Sequence, residues 1–574
     1  LYLTMLTENS NSKDYIRNRL STERKAQFKV DSTLRFINYM ERVKVYHDRE
    51  ISIKNLIGSK EALIEAINNN QRVVDPYIQL VTHSIDEHTG YRDIDIWRYF
   101  RYTWSIPYKT MPGRNLFYLV RDRAQEFHPV IGIFALGNAV LNLTVRDNEI
   151  GWTVDAIRST LERKASKEIS TQEVSQTNGK KVTSKRTRYL ETEEEHIARI
   201  TAYSQKTMEV LLGNLKNAIN DIYVRDLGYH RGTKYPSEEK INELKRLYEE
   251  LREQAIDNKK TAKVTDWEDE TKKILFKKKR AFELAKLLDA MRWFNHFKCD
   301  SYIKWLDNMI KNEQGRKAIN VALVANRKTK IGSNMMEIIV CGAIPPYNEL
   351  LGGKLVSILA CSPIVIRDYT EKYKNKVSEI ASRMKGKRVI RDSRLAFLGT
   401  TSLYSIGSSQ YNRIKVPIND EFTLQFKKMG ITEGYGTVYF SKETTDAMMR
   451  ILELQDGGRR INNVFGEGTS PRFRLISRGL STLGIKADAF LKHYSPRVVY
   501  SIELATNTNE FLLGYTDELN YSFDITSNDD VNKKTQGLIE YWYERWMSKR
   551  LHTVDIIQRL QAFTPESIML SYTR

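Results

Sequence analysis

Apolar positions recur at short helical spacings at the start of the chain. Phe36, Ile37, Met40, Val43 and Val45 are followed by Leu56, Leu63, Ile64 and Ile67, which predicts a mostly helical region over 1–90. The period then changes. Leu116–Val120 and Val130–Phe134 are β-rich runs separated by the polar stretch Arg121–Pro129, and the economical reading is a hairpin. Three helical stripes come later. Leu211, Leu215, Ile219 and Ile222 form the first. Ile241, Leu244, Leu247 and Leu251 form the second, behind an N-cap candidate at Ser237. Leu284, Leu287, Leu288 and Met291 form the third. Strand-like runs return at Val321–Val324, Met336–Val340 and Leu395–Leu398, with helices expected over Lys354–Ser362 and Ile364–Tyr373. Val498–Ile502 reads as a strand and Gly537–Met547 as an aromatic helix.

These patterns divide the chain into five regions. A helical region covers 1–90 and the first half of a mixed core covers 91–160. A basic loop and helical insertion follows over 161–317. The second half of the core is 318–440, and 441–574 is a mixed α/β tail. The fold class is mixed α/β. A hairpin, a strand, a glycine-opened helix and a strand follow one another, and that order resembles a central sheet like that of Gcn5-related acetyltransferases (GNAT-like). A fold analogy of this kind assigns no activity.

The 574 residues are 41% apolar and 28% charged, ordinary proportions for globular chains with a substantial core. No apolar run is long enough to span a bilayer. Three cysteines without CxxC spacing suit a reducing cytoplasm, where the chain is expected. Charge changes the picture more. Lys and Arg number 91 against 71 Asp and Glu, a formal net charge of +20, which favours polyanionic partners and nucleic acid above all. The stretch 164–188 concentrates this excess, with seven basic residues against two acidic ones around Gly179. It reads as a mobile loop or frayed ribbon.

Four segments carry candidate chemistry, each beside a plainer structural role. Gly352-Gly353-Lys354 opens a helix whose free amides can meet an anion, either a nucleic-acid phosphate or an acyl-CoA pyrophosphate. The same turn can simply pack a helix on a strand, and the acidic Glu349 ahead of it weakens the CoA reading. Ser408, Ser409, Gln410, Tyr411 and Arg413 follow a strand through Gly407. They can bind phosphate and read base edges, or form a capped loop. Arg98 and Arg101 alternate with Trp97, Tyr99, Phe100, Tyr102 and Trp104, a pattern for stacking bases or for filling a core. Lys385, Lys387, Arg388 and Arg391 precede the Ser/Gln loop and can share a basic face with it, or be a solvated loop. No GxxxxGK[ST] loop, HExxH or other compact zinc spacing is present, and the nine histidines are scattered. Neither catalytic residues nor a metal is assigned.

Longer motifs resemble a known family. They are Trp97–Trp104, Pro112-Gly113-Arg114, His128–Gly132, Arg146-Asp147 with Ile150-Gly151-Trp152, Met335–Val340 with Gly342–Lys354, and Phe397–Arg413. Gly434–Thr437, Asn462–Gly468, Pro496–Tyr500 and Tyr541-Trp542 extend the set over most of the chain. The chain resembles the Druantia anti-phage system protein A (DruA) family. The resemblance implies a part in bacterial defence against phage beside other Druantia proteins, including a large helicase-like partner. It implies no particular reaction. A diverged transferase or nucleic-acid-processing enzyme and a scaffold for defence proteins stay open beside nucleic-acid engagement.

Overall fold

The computed structural model describes residues 21–573, apart from 23, 26, 105–112, 175–180, 231–235, 255–265, 403–406, 434–439, 441, 456–470, 488–490 and 493–495. Seven strands form one mixed sheet: β1 (Pro76–Leu80), β2 (Leu116–Asp122), β3 (Val130–Asn138), β4 (Met335–Ala343), β5 (Phe397–Thr401), β6 (Lys427–Ile431) and β7 (Val498–Glu503). Their spatial order is β6-β7-β5-β4-β3-β2-β1. Every neighbouring pair is antiparallel except β4 and β5. That parallel pair is registered only from Met335↔Phe397 to Glu337↔Gly399, so the remainder of β4 runs on without β5 beside it.

Between the adjacent strands β3 and β4 the chain leaves the sheet and builds a helical block. It contains α2 (Glu193–Asn220), α3 (Glu238–Glu253), α4 (Ile274–His296), α5 (Tyr302–Lys311) and α6 (Glu313–Asn334), numbered after α1 (Asp93–Tyr102). The stripes predicted from sequence meet in a core of their own, where Leu211, Leu215, Ile241, Leu244, Leu284 and Leu288 pack together. The Ser237 hydroxyl caps α3 by accepting from the Lys240 amide at 3.3 Å. Val321–Val324, expected as a strand, lies inside α6. The reason is periodicity, since Ala318, Ile319, Ala322 and Leu323 are buried at spacings of three and four.

One face of the sheet is covered by α7 (Gly352–Leu359), α8 (Pro363–Tyr373) and α9 (Asn528–Trp542), which bury Val356, Val365 and Leu538 against Tyr118, Phe134, Ile338 and Tyr500. Gly132 allows α7 this approach, because a Cβ there would stand 2.4 Å from Val356 Cγ2 and 2.6 Å from the Gly342 carbonyl. On the other face, α1 and the helix Asp31–Glu41 cover Leu119, Ile133 and Val340. The aromatic helix expected near 537–547 is the end of α9 followed by a π turn over Tyr543–Met547.

Two parts of the first ninety residues depart from the helical expectation. Val43 precedes and Val45 lies within a short hairpin, Lys44–Tyr46 with Arg49–Ile51, whose turn residues His47 and Asp48 hold positive φ. The alternation Val43-Lys44-Val45 has the period of a strand. Pro76–Leu80 is the edge strand β1, with its proline at the first position, where no ladder amide is needed. The basic stretch after 164 contains two paired antiparallel strands, Ser166–Val174 and Lys181–Leu190.

Candidate functional site

The structure joins two segments that sequence placed separately. Leu351 takes a left-handed backbone (φ 59) and starts α7, and the Trp542 indole donates to its carbonyl at 3.1 Å. Gly352 is packed tightly, since a Cβ would meet the Tyr347 carbonyl at 2.8 Å. Lys354 is buried, and its ammonium donates to the carbonyls of Ser409 (3.0 Å), Gln410 (3.2 Å) and Asn412 (2.8 Å). Burial, then the nearby Arg413, lowers its pKa. The 407–413 loop thus closes over the helix start.

Gln410 continues the contact. Its amide donates to the Ser357 hydroxyl at 2.8 Å and to the Cys341 carbonyl and Sγ at 3.3 and 3.2 Å. It therefore fills the space where β4 runs on without β5. Burial pushes the Cys341 thiol up to about 12, against hydrogen bonds to Ser357 and Gln410 that act the other way. Tyr411 is stacked on Phe426 at 5.0 Å and set edgewise to Tyr500, and burial raises its hydroxyl pKa. The Ser408 amide donates to the Tyr500 hydroxyl. Ser409 and Arg413 are exposed, and Arg413 holds φ 67.

The basic segment 385–391 meets the helical block. Lys385 and Arg391 both bind Asp221, at 2.5 and 2.7 Å. Burial opposes charge on Asp221, but these two partners hold its carboxyl below the ordinary range. Lys387 and Arg388 are exposed, with no ion-pair partner among the described residues. Arg98 and Arg101 lie on α1. The Arg98 guanidinium sits 4.3 Å from the Phe36 ring centroid and donates to the Tyr102 hydroxyl. Arg101 is buried, 5.2 Å from the Trp104 ring, and Trp97, Tyr99 and Phe100 are fully buried around α1. Among the described residues no group of His, Cys, Asp or Glu is arranged to hold a metal ion.

One constellation has no counterpart in the sequence reading. Arg114, just before β2, donates to the Ser333 carbonyl (3.2 Å), the Tyr369 hydroxyl and the Ser393 hydroxyl (3.4 Å). These partners precede β4, lie on α8 and precede β5. Arg114 also faces Tyr373, 4.9 Å from its ring centroid, while Lys376 and Lys372 stand 5.3 and 5.8 Å from the same ring. Sequence showed the Pro112-Gly113-Arg114 motif, but the lysines that join it lie some 260 positions on.

A model of the family "Druantia protein DruA" matches residues 31–167 and 316–514, more than half of the chain. The chain belongs to the DruA family. The first matched segment carries β1–β3 and the second β4–β7, while the unmatched stretch holds most of the helical block. A curated relative, Druantia protein DruA of Escherichia coli (strain UMEA 4076-1), is 33% identical over 180 residues, 31% of this chain and 41% of that protein. The match therefore spans less than half of that relative. No solved structure matches the chain. Among the described residues no helix is long and apolar enough to cross a membrane. The motifs Gly434–Thr437 and Asn462–Gly468 lie outside the described residues.

Proposed function

We propose that this DruA-family chain is a cytoplasmic component of bacterial anti-phage defence that engages nucleic acid through a basic surface, beside a helicase-like Druantia partner. The observation that carries the nucleic-acid reading is the exposed pair Lys387–Arg388, unneutralised in a chain of net charge +20 while its neighbours Lys385 and Arg391 are tied to Asp221. Exposed cations without counter-ions concentrate phosphates and release condensed counter-ions on binding. Ser409 and Arg413 are the exposed members of the second candidate segment and are assigned to the same work. The test is a panel of single- and double-stranded DNA and RNA read across salt. Binding that weakens steeply with salt, and weakens further in Lys387→Ala/Arg388→Ala, supports the reading. Salt-independent or absent binding by the wild-type chain refutes it and favours a scaffold that meets an acidic protein.

A second reading rests on topology. Hairpin β2–β3, strand β4, helix α7 and strand β5 follow in order across one sheet, with a single parallel pair whose pairing stops early. This supports a GNAT-like core and, with it, a diverged transferase using Gly352, Gly353 and Lys354. Acyl-CoA carried through purification and detected by mass spectrometry would favour that reading. The engagement of Lys354 and Gln410 with their own chain argues for a structural role at this position instead.

A further inference from the structure

We propose that Arg114, Lys372 and Lys376 form a binding site for the backbone phosphates of nucleic acid. The inference rests on the nucleic-acid reading above and adds to it a place and a ligand group.

Three cations from two distant parts of the chain surround one aromatic ring, all within 5.8 Å of its centroid. That ring, Tyr373, is 2% exposed. Its hydroxyl is fixed by Asn115, accepting from the amide at 2.9 Å and donating to the carbonyl at 3.0 Å. The Lys372 ammonium donates to the same Asn115 carbonyl at 2.9 Å. Among the described residues, every hydrogen-bond partner of the Arg114 side chain is neutral. Among the described residues, none of the three cations is ion-paired to a carboxylate.

The carboxylates nearby are already taken. Glu371 binds Lys374, Asp392 binds Arg394, and Asp368 accepts from the Tyr118 hydroxyl and faces Arg367. Lys374, Arg394 and Arg367 are thus paired, while these three cations stay gathered at one ring. Like charges held together without a counter-ion repel one another; the Lys372 pKa is lowered mainly by burial and, second, by the nearby Lys376. An anion between them relieves that repulsion.

The site adjoins the Lys387–Arg388 loop. Val377 forms an antiparallel bridge with Ile390, and the Ser378 amide donates to the Val389 carbonyl at 2.9 Å, which sets Lys376 opposite Arg391, three residues beyond the exposed Arg388. The site at Tyr373 is thus joined through the backbone to the segment 388–391. Its chemistry selects phosphate over base. Lysine ammoniums are point charges suited to phosphate oxygens, and the covered Tyr373 ring offers no free face for stacking. Contact here is independent of sequence.

The experiment uses the full chain and labelled oligonucleotides of two unrelated sequences, followed by fluorescence anisotropy from 50 to 300 mM salt. Lys372→Gln/Lys376→Gln removes two surface charges while leaving Arg114 in place. The expected result is a salt slope shallower by about two units and binding at least about tenfold weaker at the lowest salt, equally for both sequences. Lys372→Arg/Lys376→Arg should restore both. An unchanged slope in the Gln variant, with wild-type binding intact and Lys387→Ala/Arg388→Ala impaired, overturns this site and leaves the broader reading standing. Loss confined to one sequence overturns the phosphate assignment. Absence of salt-dependent binding by the wild-type chain overturns both.

Discussion

Lys354→Met separates a packing role from a ligand role at the start of α7. The replacement keeps the length of the side chain and removes an ammonium that holds three loop carbonyls at 2.8–3.2 Å. A hydrogen bond to a charged group contributes about 1.5–3 kcal/mol net, and three that share one donor group are not additive. Two offsets reduce the loss. Removing a buried charge recovers desolvation cost, and the carbonyls of the exposed residues Ser409 and Asn412 can turn to water. We therefore expect the loop to lose about 2–3 kcal/mol of local stability. At 1.4 kcal/mol per factor of ten, that is roughly 30- to 150-fold faster amide exchange at loop amides that exchange by local opening. Hydrogen exchange read by mass spectrometry on a peptide covering 407–416 measures it, with a peptide from α4 as the internal reference. Oligonucleotide binding should be unchanged, because the ammonium is used within the fold. Exchange altered less than threefold would refute the reasoning. Lost phosphate binding with unaltered exchange would make this helix start a ligand site.

Asp221→Asn should lower stability by about 1–2 kcal/mol at pH 7, since a part-buried carboxylate shared by Lys385 and Arg391 is lost. The folded carboxyl titrates below its ordinary range, so its contribution is complete above about pH 4 and disappears as pH falls through the folded value. The gap between wild type and variant in thermal unfolding should therefore narrow as pH falls below about 4, and a constant gap would exclude the ion pair as the cause. Gly132→Ala should cost about 2–3 kcal/mol by forcing α7 from the sheet, observed as a lower melting temperature; an unchanged value would show that the helix shifts freely. Brief alkylation of the native chain at pH 7.5 should label the exposed Cys299 alone, because Cys361 is buried and burial keeps the Cys341 thiol protonated. Intact mass showing two or three labels would contradict that protection.

Where side-chain periodicity reports burial, the fold was legible. The stripes of α2, α3 and α4 and the strands β2, β3, β4, β5 and β7 carry their pattern locally. The misreadings have local causes too. Val321–Val324 is apolar enough for a strand, yet its helical spacing decides, and a two-residue alternation around Lys44 was too short to outweigh the surrounding helices. The site was legible only as a set of residue types. Nothing in the order Gly352-Gly353-Lys354 shows that its ammonium is held by residues 409–412, and nothing in Lys385–Arg391 shows which cations meet Asp221. Those facts depend on contacts between residues far apart in sequence. Arg114 makes the same point, since its neighbours come from α6, α8 and the approach to β5.

The placement of the helical block between β3 and β4 has a consequence for the chain as it is made. Asn138 pairs with Met336, so neighbouring strands at the middle of the sheet are separated by roughly 200 residues of synthesis. At about 5–20 residues per second, the β2–β3 hairpin waits on the order of 10–40 s with one edge unpaired and Phe134 and Leu136 uncovered. The block, whose contacts are largely its own, can fold during that interval. Once both have formed, the block closes a loop whose ends already lie side by side. Doubling such a loop costs only about 0.6 kcal/mol, so the sheet is nearly indifferent to how much protein is inserted there. The delay during synthesis is what grows with the insert. A longer insert would therefore burden the newly made hairpin rather than the finished sheet.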